Sequence, residues 1–161
     1  MVLALLVLML VAAWIYTSLK SGEPQAGPEP ETATVLIYLA RATETDIEFV
    51  AVEREVPAAD AVDELARSAI AALLVGPTTA EAESGLSVPF NEGTIVNAVT
   101  IADATITADF NDQFDFQLGG SARVMAIRQS IERTLRQFVP NESVEIRLTV
   151  NHGEREAVLE P

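Results

Sequence analysis

The sequence contains no cysteine. That absence excludes disulfides, zinc–thiolate sites, a cysteine nucleophile and the lipidated cysteine of a bacterial lipoprotein. Basic residues are scarce. Ten Lys and Arg stand against 24 Asp and Glu, giving a formal net charge of −14, and Lys20 is the sole lysine. Nucleic-acid binding needs Lys and Arg to displace phosphate counterions, so this balance argues against a DNA or RNA partner. Anionic membrane surfaces would repel the same charge. Histidine occurs once, as His152, in a segment that reads as an exposed turn beside Gly153. A Ser/His/Asp triad would therefore have a single candidate base, and no G-x-S-x-G elbow accompanies it. The acidic run Asp109 to Asp115 fails as an EF-hand. Counted from Asp109, the sixth position is Phe114 instead of Gly and the twelfth is Gly120 instead of Glu. Carboxylate pairs such as Asp63/Glu64 and Glu81/Glu83 are expected by chance in so acidic a chain. The sequence therefore predicts no catalytic residue, no cofactor and no metal.

What the chain does have is a layout. Val2 to Tyr16 is unbroken apolar sequence, and Thr17, Ser18 and Leu19 extend it. As a helix this run would span about 27 Å at ~1.5 Å per residue, close to a hydrocarbon core of about 30 Å. Trp14 and Tyr16 suit a membrane interface, and Lys20 could snorkel beyond them. A cleaved signal peptide is the rival reading, but no basic residue precedes the run and no small-x-small cleavage site follows it. The expectation is an N-terminal transmembrane anchor or uncleaved signal over 1–19, a Pro/Glu-rich tether over 20–32 that should be extended and solvated, and a folded domain over 33–161. Membrane contact would run through the N-terminal helix alone.

Periodicity organises the domain. Thr34 to Leu39 reads as a strand and Ile47 to Val56 as its hairpin partner across the polar turn Arg41 to Asp46. Asp60 reads as the cap of a helix whose buried face is Val62, Leu65, Ala66, Ala69, Ile70 and Leu73, ended by Gly76 and Pro77. Thr78 to Gly93 reads as a long loop, a length that is often functional. Strands follow at Ile95 to Ile101 and Thr105 to Phe110, with Asp109 capping a turn and Phe110 in the core. Gly119 and Gly120 form a tight turn and Ser121 an N-cap for a second helix, with Val124, Ile127, Ile131, Leu135 and Phe138 on its core face. Gln129 is polar at mid-helix, facing either solvent or a partner. Val144 to Val150 alternates as another strand, Asn151 to Gly153 turns, and Ala157 to Leu159 offers a short edge strand. The predicted class is α+β: one mixed or antiparallel sheet with two helices on one face, in the order β-β-α-β-β-α-β.

The ordered motifs carry a resemblance. Leu73 to Pro77 reads LLVGP, Glu92 to Thr94 reads EGT, Asp109-Phe110 closes TITADF, Gly119 to Ser121 reads GGS, and Thr134 to Phe138 reads TLRQF. Together, over about Ala33 to Gly153, they resemble the GerMN domain family of bacterial envelope and spore-germination proteins. The resemblance implies an extracytoplasmic domain on an N-terminal anchor, with no enzymatic chemistry and a fold similar to small ring-building domains. Its motif residues here are Gly76, Pro77, Gly93, Thr94, Asp109, Phe110, Gly119, Gly120, Ser121 and Gln129, with structural or interaction roles. This chain carries one such domain where family members often carry two, and Val139 intrudes before Pro140. Two functions follow as expectations. One is a scaffold that forms a homo-oligomer or docks on an envelope-complex protein. The other is a module that binds a small envelope ligand or glycan through the loop Thr78 to Gly93.

Overall fold

The computed structural model describes residues 31–139 and 143–159. The predicted anchor and nearly all of the tether fall on residues 1–30, outside the described residues. Among those described, no helix is long and apolar enough to cross a membrane. The elements are β1 (Thr32–Ala42), β2 (Ile47–Pro57), α1 (Val62–Val75), α2 (Thr79–Glu83), β3 (Leu86–Ser87), β4 (Val96–Ala102), β5 (Thr105–Phe110), α3 (Ser121–Arg136), β6 (Glu145–Val150) and β7 (Arg155–Glu156).

The class is α+β, but the single sheet expected from the sequence is replaced by two. Among the described residues one has the order β2-β1-β3, the other β4-β5-β6-β7, and three helices accompany them instead of two. The β1–β2 hairpin is antiparallel over eleven paired positions, from Thr32↔Pro57 to Ala42↔Ile47. In the second sheet β4–β5 and β6–β7 are antiparallel, whereas β5–β6 is parallel. The parallel pair is possible because α3 supplies the crossover that parallel strands require.

The edge of β1 explains why the sheets stay apart. At Ala40 and Arg41 that edge pairs with β3. Further along, α3 occupies it. The Gln137 side-chain amide accepts from Leu36 N–H (2.9 Å) and donates to Leu36 C=O (2.7 Å), and Thr134 Oγ1 accepts from Tyr38 N–H (3.2 Å). A fourth strand would need those same backbone groups.

The local departures have similar causes. The N-cap of α1 is Ala61, with no side-chain cap bond, so Asp60 does not cap; Asp63 and Glu64 in the first turn serve the helix dipole instead. Gly120, at φ +85°, is the N-cap of α3, and Ser121 is its first helical residue. The last strand sits at Arg155–Glu156, two residues before the expected one. One continuous core joins both sheets and the long helices. Ile37 and Leu39 of β1, Ile70 and Leu73 of α1, Ile106 and Phe110 of β5, and Ile127, Ile131 and Leu135 of α3 are all fully buried. Sequence periodicity had placed the helix residues on these faces.

Candidate functional site

The stretch Thr78 to Gly93, expected as a bare loop, has structure of its own. Thr78 and Glu81 form a capping box: Thr78 Oγ1 accepts from Glu81 N–H and the Glu81 carboxylate accepts from Thr78 N–H (2.8 Å), starting α2. The same carboxylate meets Arg54 of β2 in a two-pronged pair, with Nη1–Oε1 at 2.9 Å and Nη2–Oε2 at 2.5 Å. The Arg54 guanidinium, assisted by the Thr78 N–H, holds the Glu81 carboxyl down to about 2, from 4.5. Arg54 also reaches the Gly76 carbonyl (3.5 Å). Gly76 lies at φ +87°, and a Cβ there would come within 3.2 Å of the Val88 side chain, so the turn that ends α1 needs glycine twice over.

Val75, which directly precedes Gly76, lines one lip of a groove. The groove is about 300 Å³ and is lined by Arg67, Ala71, Leu74 and Val75 of α1 and by Thr94, Ile95 and Val96. Val75 is 86% exposed and Ile95 59% exposed. On the second lip, Asn91 to Thr94 forms a tight turn with Gly93 at φ +79°, closed by Thr94 N–H and Oγ1 donating to Asn91 C=O (3.2 and 2.7 Å). Asn111 then pins the lip. Its Nδ2 donates to Gly93 C=O (2.8 Å), its Oδ1 accepts from Ile95 N–H (3.0 Å), and its N–H donates to Ile95 C=O (3.0 Å).

The structure thus sets Gly76 and Pro77 beside one exposed aliphatic side chain, Val75, and Gly93 and Thr94 beside the other, Ile95. The remaining motif residues lie elsewhere. Phe110 is fully buried, and Asp109, 6% exposed, accepts from Asn97 Nδ2, Thr149 Oγ1, His152 N–H and Gly153 N–H. Gly119, Gly120 and Ser121 make the head of α3, and Gln129 Oε1 accepts from Arg133 Nε (3.3 Å) on the same helix. Two bracing residues escaped sequence reasoning. Arg123 donates to Pro89 C=O (2.8 Å) and to Asn91 Oδ1 (2.6 Å), and Asn91 Nδ2 donates to Gln113 and Phe116 C=O (2.6 and 2.8 Å). Nothing local in the sequence marks either, because their partners lie more than twenty residues away. The capping box, by contrast, was readable as Thr-x-x-Glu. Among the described residues, no group of three or more His, Asp or Glu is arranged to hold a metal ion.

The clamp makes a pH prediction. A carboxyl whose folded pKa is depressed contributes stability that is complete above its ordinary value and fades as the pH falls through the folded one. Arg54–Glu81 should therefore contribute fully above pH 4.5 and lose its contribution between 4.5 and about 2. With both side chains about one-fifth exposed, solvent screening holds the expected loss in Glu81→Gln at pH 7 to about 1–2 kcal/mol. Urea denaturation of wild type and variant across that range checks it: a stability difference that does not shrink towards pH 2 contradicts the assignment.

Comparison with known proteins gives a consistent family and fold. The profile of a family described as "Germane: Sporulation and spore germination" matches residues 36–151. The tandem GerMN domains of the sporulation protein GerM from Bacillus subtilis superpose with a TM-score of 0.58 at 22% identity, covering 81% of this chain and 43% of that one. This chain thus spans less than half the length of that protein's structure. A putative lipoprotein from Clostridium perfringens superposes with a TM-score of 0.50 at 16% identity, covering 83% of this chain and 84% of that one. At such identities the likeness establishes the fold alone. No curated protein matches the sequence.

Proposed function

Because the chain belongs to the Germane family of sporulation and spore-germination domains, we propose that it serves a sporulation- or germination-type envelope assembly as a non-catalytic, extracytoplasmic contact module. Its contact is the Val75–Ile95 groove, and its occupant is an apolar side chain of a protein partner. The observation that carries this reading is the exposure of Val75 and Ile95 on a fixed frame. Loose loops can leave aliphatic side chains in water without consequence. Here Val75 ends helix α1 and Asn111 holds the Ile95 backbone, so the apolar surface is presented in fixed form, which lowers the entropy cost of docking.

A photo-cross-linking residue at Val75 of the full chain, in its native membrane fraction, tests the proposal. The expected product is one discrete adduct with another protein, lost when Ile95→Glu is added. Because surface substitutions away from special features change stability by only about ±0.5 kcal/mol, that variant should keep its thermal midpoint. A ladder in steps of the 17.3 kDa chain mass would identify a second copy as the partner. Absence of any adduct at Val75, with efficient cross-linking at a control position, would overturn the reading.

A further inference from the structure

A second cavity, of about 640 Å³, opens where the segment after β5 meets β7, and its wall includes Asp112, Asp115, Phe116, Gln117, Arg155 and Val158. Small-molecule sites commonly have volumes of about 300–1,000 Å³. Two apolar side chains in that lining are exposed. Phe116 is 54% exposed and Val158 56% exposed, whereas Phe110 and Phe114, just upstream, are fully buried. Among the described residues Phe116 is the one aromatic with more than half its surface in water.

Neither apolar side chain sits on slack chain. The Phe116 carbonyl is held by Asn91 Nδ2 (2.8 Å), and Arg123 holds Asn91 (2.6 Å). The Asp115 carboxylate accepts Val158 N–H (3.0 Å) and a two-pronged contact from the Arg155 guanidinium. That guanidinium keeps the Asp115 carboxyl below the usual carboxylate range against the opposing push of burial. Asp115 is thereby spent on the frame. Asp112 Oδ1 already accepts from Asn151 Nδ2 (2.7 Å) and lies 3.6 Å from Arg155 Nη2, so the ring of Phe116, the amide of Gln117 and the second oxygen of Asp112 are what remain to meet a ligand.

This set selects by chemistry. A wholly apolar ligand would cover the Gln117 amide without giving it a partner, which is costly. An anion would face Asp112 and a chain of net charge −14. A ligand with one apolar face, several hydroxyls and no charge satisfies all of the groups at once. We propose that this cavity binds an uncharged saccharide, with the apolar face of one pyranose ring stacked on Phe116 and its hydroxyls paired with Gln117 and Asp112. The segment Thr78 to Gly93 contributes to this cavity through Asn91, whose Nδ2 holds the Phe116 carbonyl. The proposal stands apart from the groove, and substitutions at Val75 or Ile95 should leave it unaffected.

The test is calorimetric titration of the full chain, in a detergent without a sugar headgroup, against cellotetraose and the N-acetylglucosamine tetramer, with the galacturonic acid tetramer as the acidic comparison. The expected result is saturable binding of a neutral tetramer, weakened at least tenfold in Phe116→Ala, retained in Phe116→Tyr, and weaker for the acidic one. Phe116→Ala should keep the wild-type thermal midpoint, so that lost binding reports the ring and not the fold. Three results would each overturn the proposal: no heat from either neutral tetramer at millimolar concentration, equal affinity of wild type and Phe116→Ala, or preference for the acidic tetramer.

Discussion

Replacing Asp109 by Ala is expected to cost about 3–5 kcal/mol, a large share of the roughly 5–15 kcal/mol that stabilises a domain of this kind. The reason lies in what its carboxylate satisfies. Four donors converge on it: Asn97 Nδ2 at 2.8 Å, Thr149 Oγ1 at 2.8 Å, His152 N–H at 2.9 Å and Gly153 N–H at 2.7 Å. Asn97 reaches it because a bulge between Val96 and Ala98 turns that residue out of register. The two N–H groups belong to a turn in which Asn151, His152 and Gly153 all have positive φ (+56°, +60° and +78°). Two of these carry side chains, and each such residue costs about 1–2 kcal/mol in the left-handed region. Successive residues of this kind form a concave nest of N–H groups that demands an anion, and Asp109 is that anion. Its removal leaves the donors unmet and the turn unpaid for.

The thermal midpoint should fall by roughly 10–20 °C, since about 1 kcal/mol is worth a few degrees in a domain of this size. Asp109→Asn keeps the shape but offers only one acceptor oxygen, and should fall between wild type and Ala. The pH dependence has a fixed sign. Burial pushes the Asp109 carboxyl up, but Asn97, Thr149, Gly153 and His152 together pull it below its ordinary value. Its contribution is therefore complete above the ordinary carboxylate range and disappears as the pH drops through the lowered value. Scanning calorimetry of the three proteins at pH 7 and pH 3 measures both effects. An Asp109→Ala midpoint within two or three degrees of wild type at pH 7 would remove Asp109 as the hub of this sheet.

The second large effect is expected at the neighbouring residue. Phe110→Ala should cost about 3–5 kcal/mol, the usual range for emptying an aromatic site in a packed interior. Phe110 is fully buried, and its ring stacks on Phe114 with centroids 4.1 Å apart and planes at 9°. Part of the loss should belong to the pair. A double-substitution cycle with Phe114→Ala should return a coupling of about 0.5–1.5 kcal/mol beyond buried area. Phe114 also anchors the segment that carries Phe116, so Phe114→Ala should raise amide exchange over 112–117 before it affects β1 and β2. Additive single losses in urea denaturation would show that the stacking contributes nothing beyond burial.

How much of this was legible beforehand divides by the range of the interactions. Helix faces follow a short period, and Ala66, Ala69, Ile70 and Leu73 were placed on the buried side of α1 from spacing alone. Asp109 as a turn cap with Phe110 in the core was also readable, because a polar residue beside an aromatic at a strand end has few other roles. The groove was legible only as two separate motifs, Gly76-Pro77 and Gly93-Thr94, with nothing to show that their neighbours Val75 and Ile95 line one feature. The sheets were misjudged because pairing is a long-range choice. The Gln137 amide that occupies β1 lies 101 residues from Leu36, and its sequence context is that of an ordinary polar residue at a helix end. The saccharide cavity was hidden for a like reason. Asp115 and Arg155 stand forty residues apart, and the exposure of Phe116 is invisible to a pattern that counts every Phe as core.

The Gln137 contact bears on how copies of such a domain can meet. A side-chain amide is a peptide group on a tether, and here it occupies Leu36 on the β1 edge that β3 and Thr134 cover further along. The opposite edge, β2, carries Glu48, Glu53 and Glu55, whose charge discourages an incoming strand. Neither margin invites the sheet to continue into a second molecule, the route by which proteins polymerise irreversibly into fibrils. The same side-chain amide that closes the edge of β1 thus also guards it, a protection built from a helix end instead of from charge or proline.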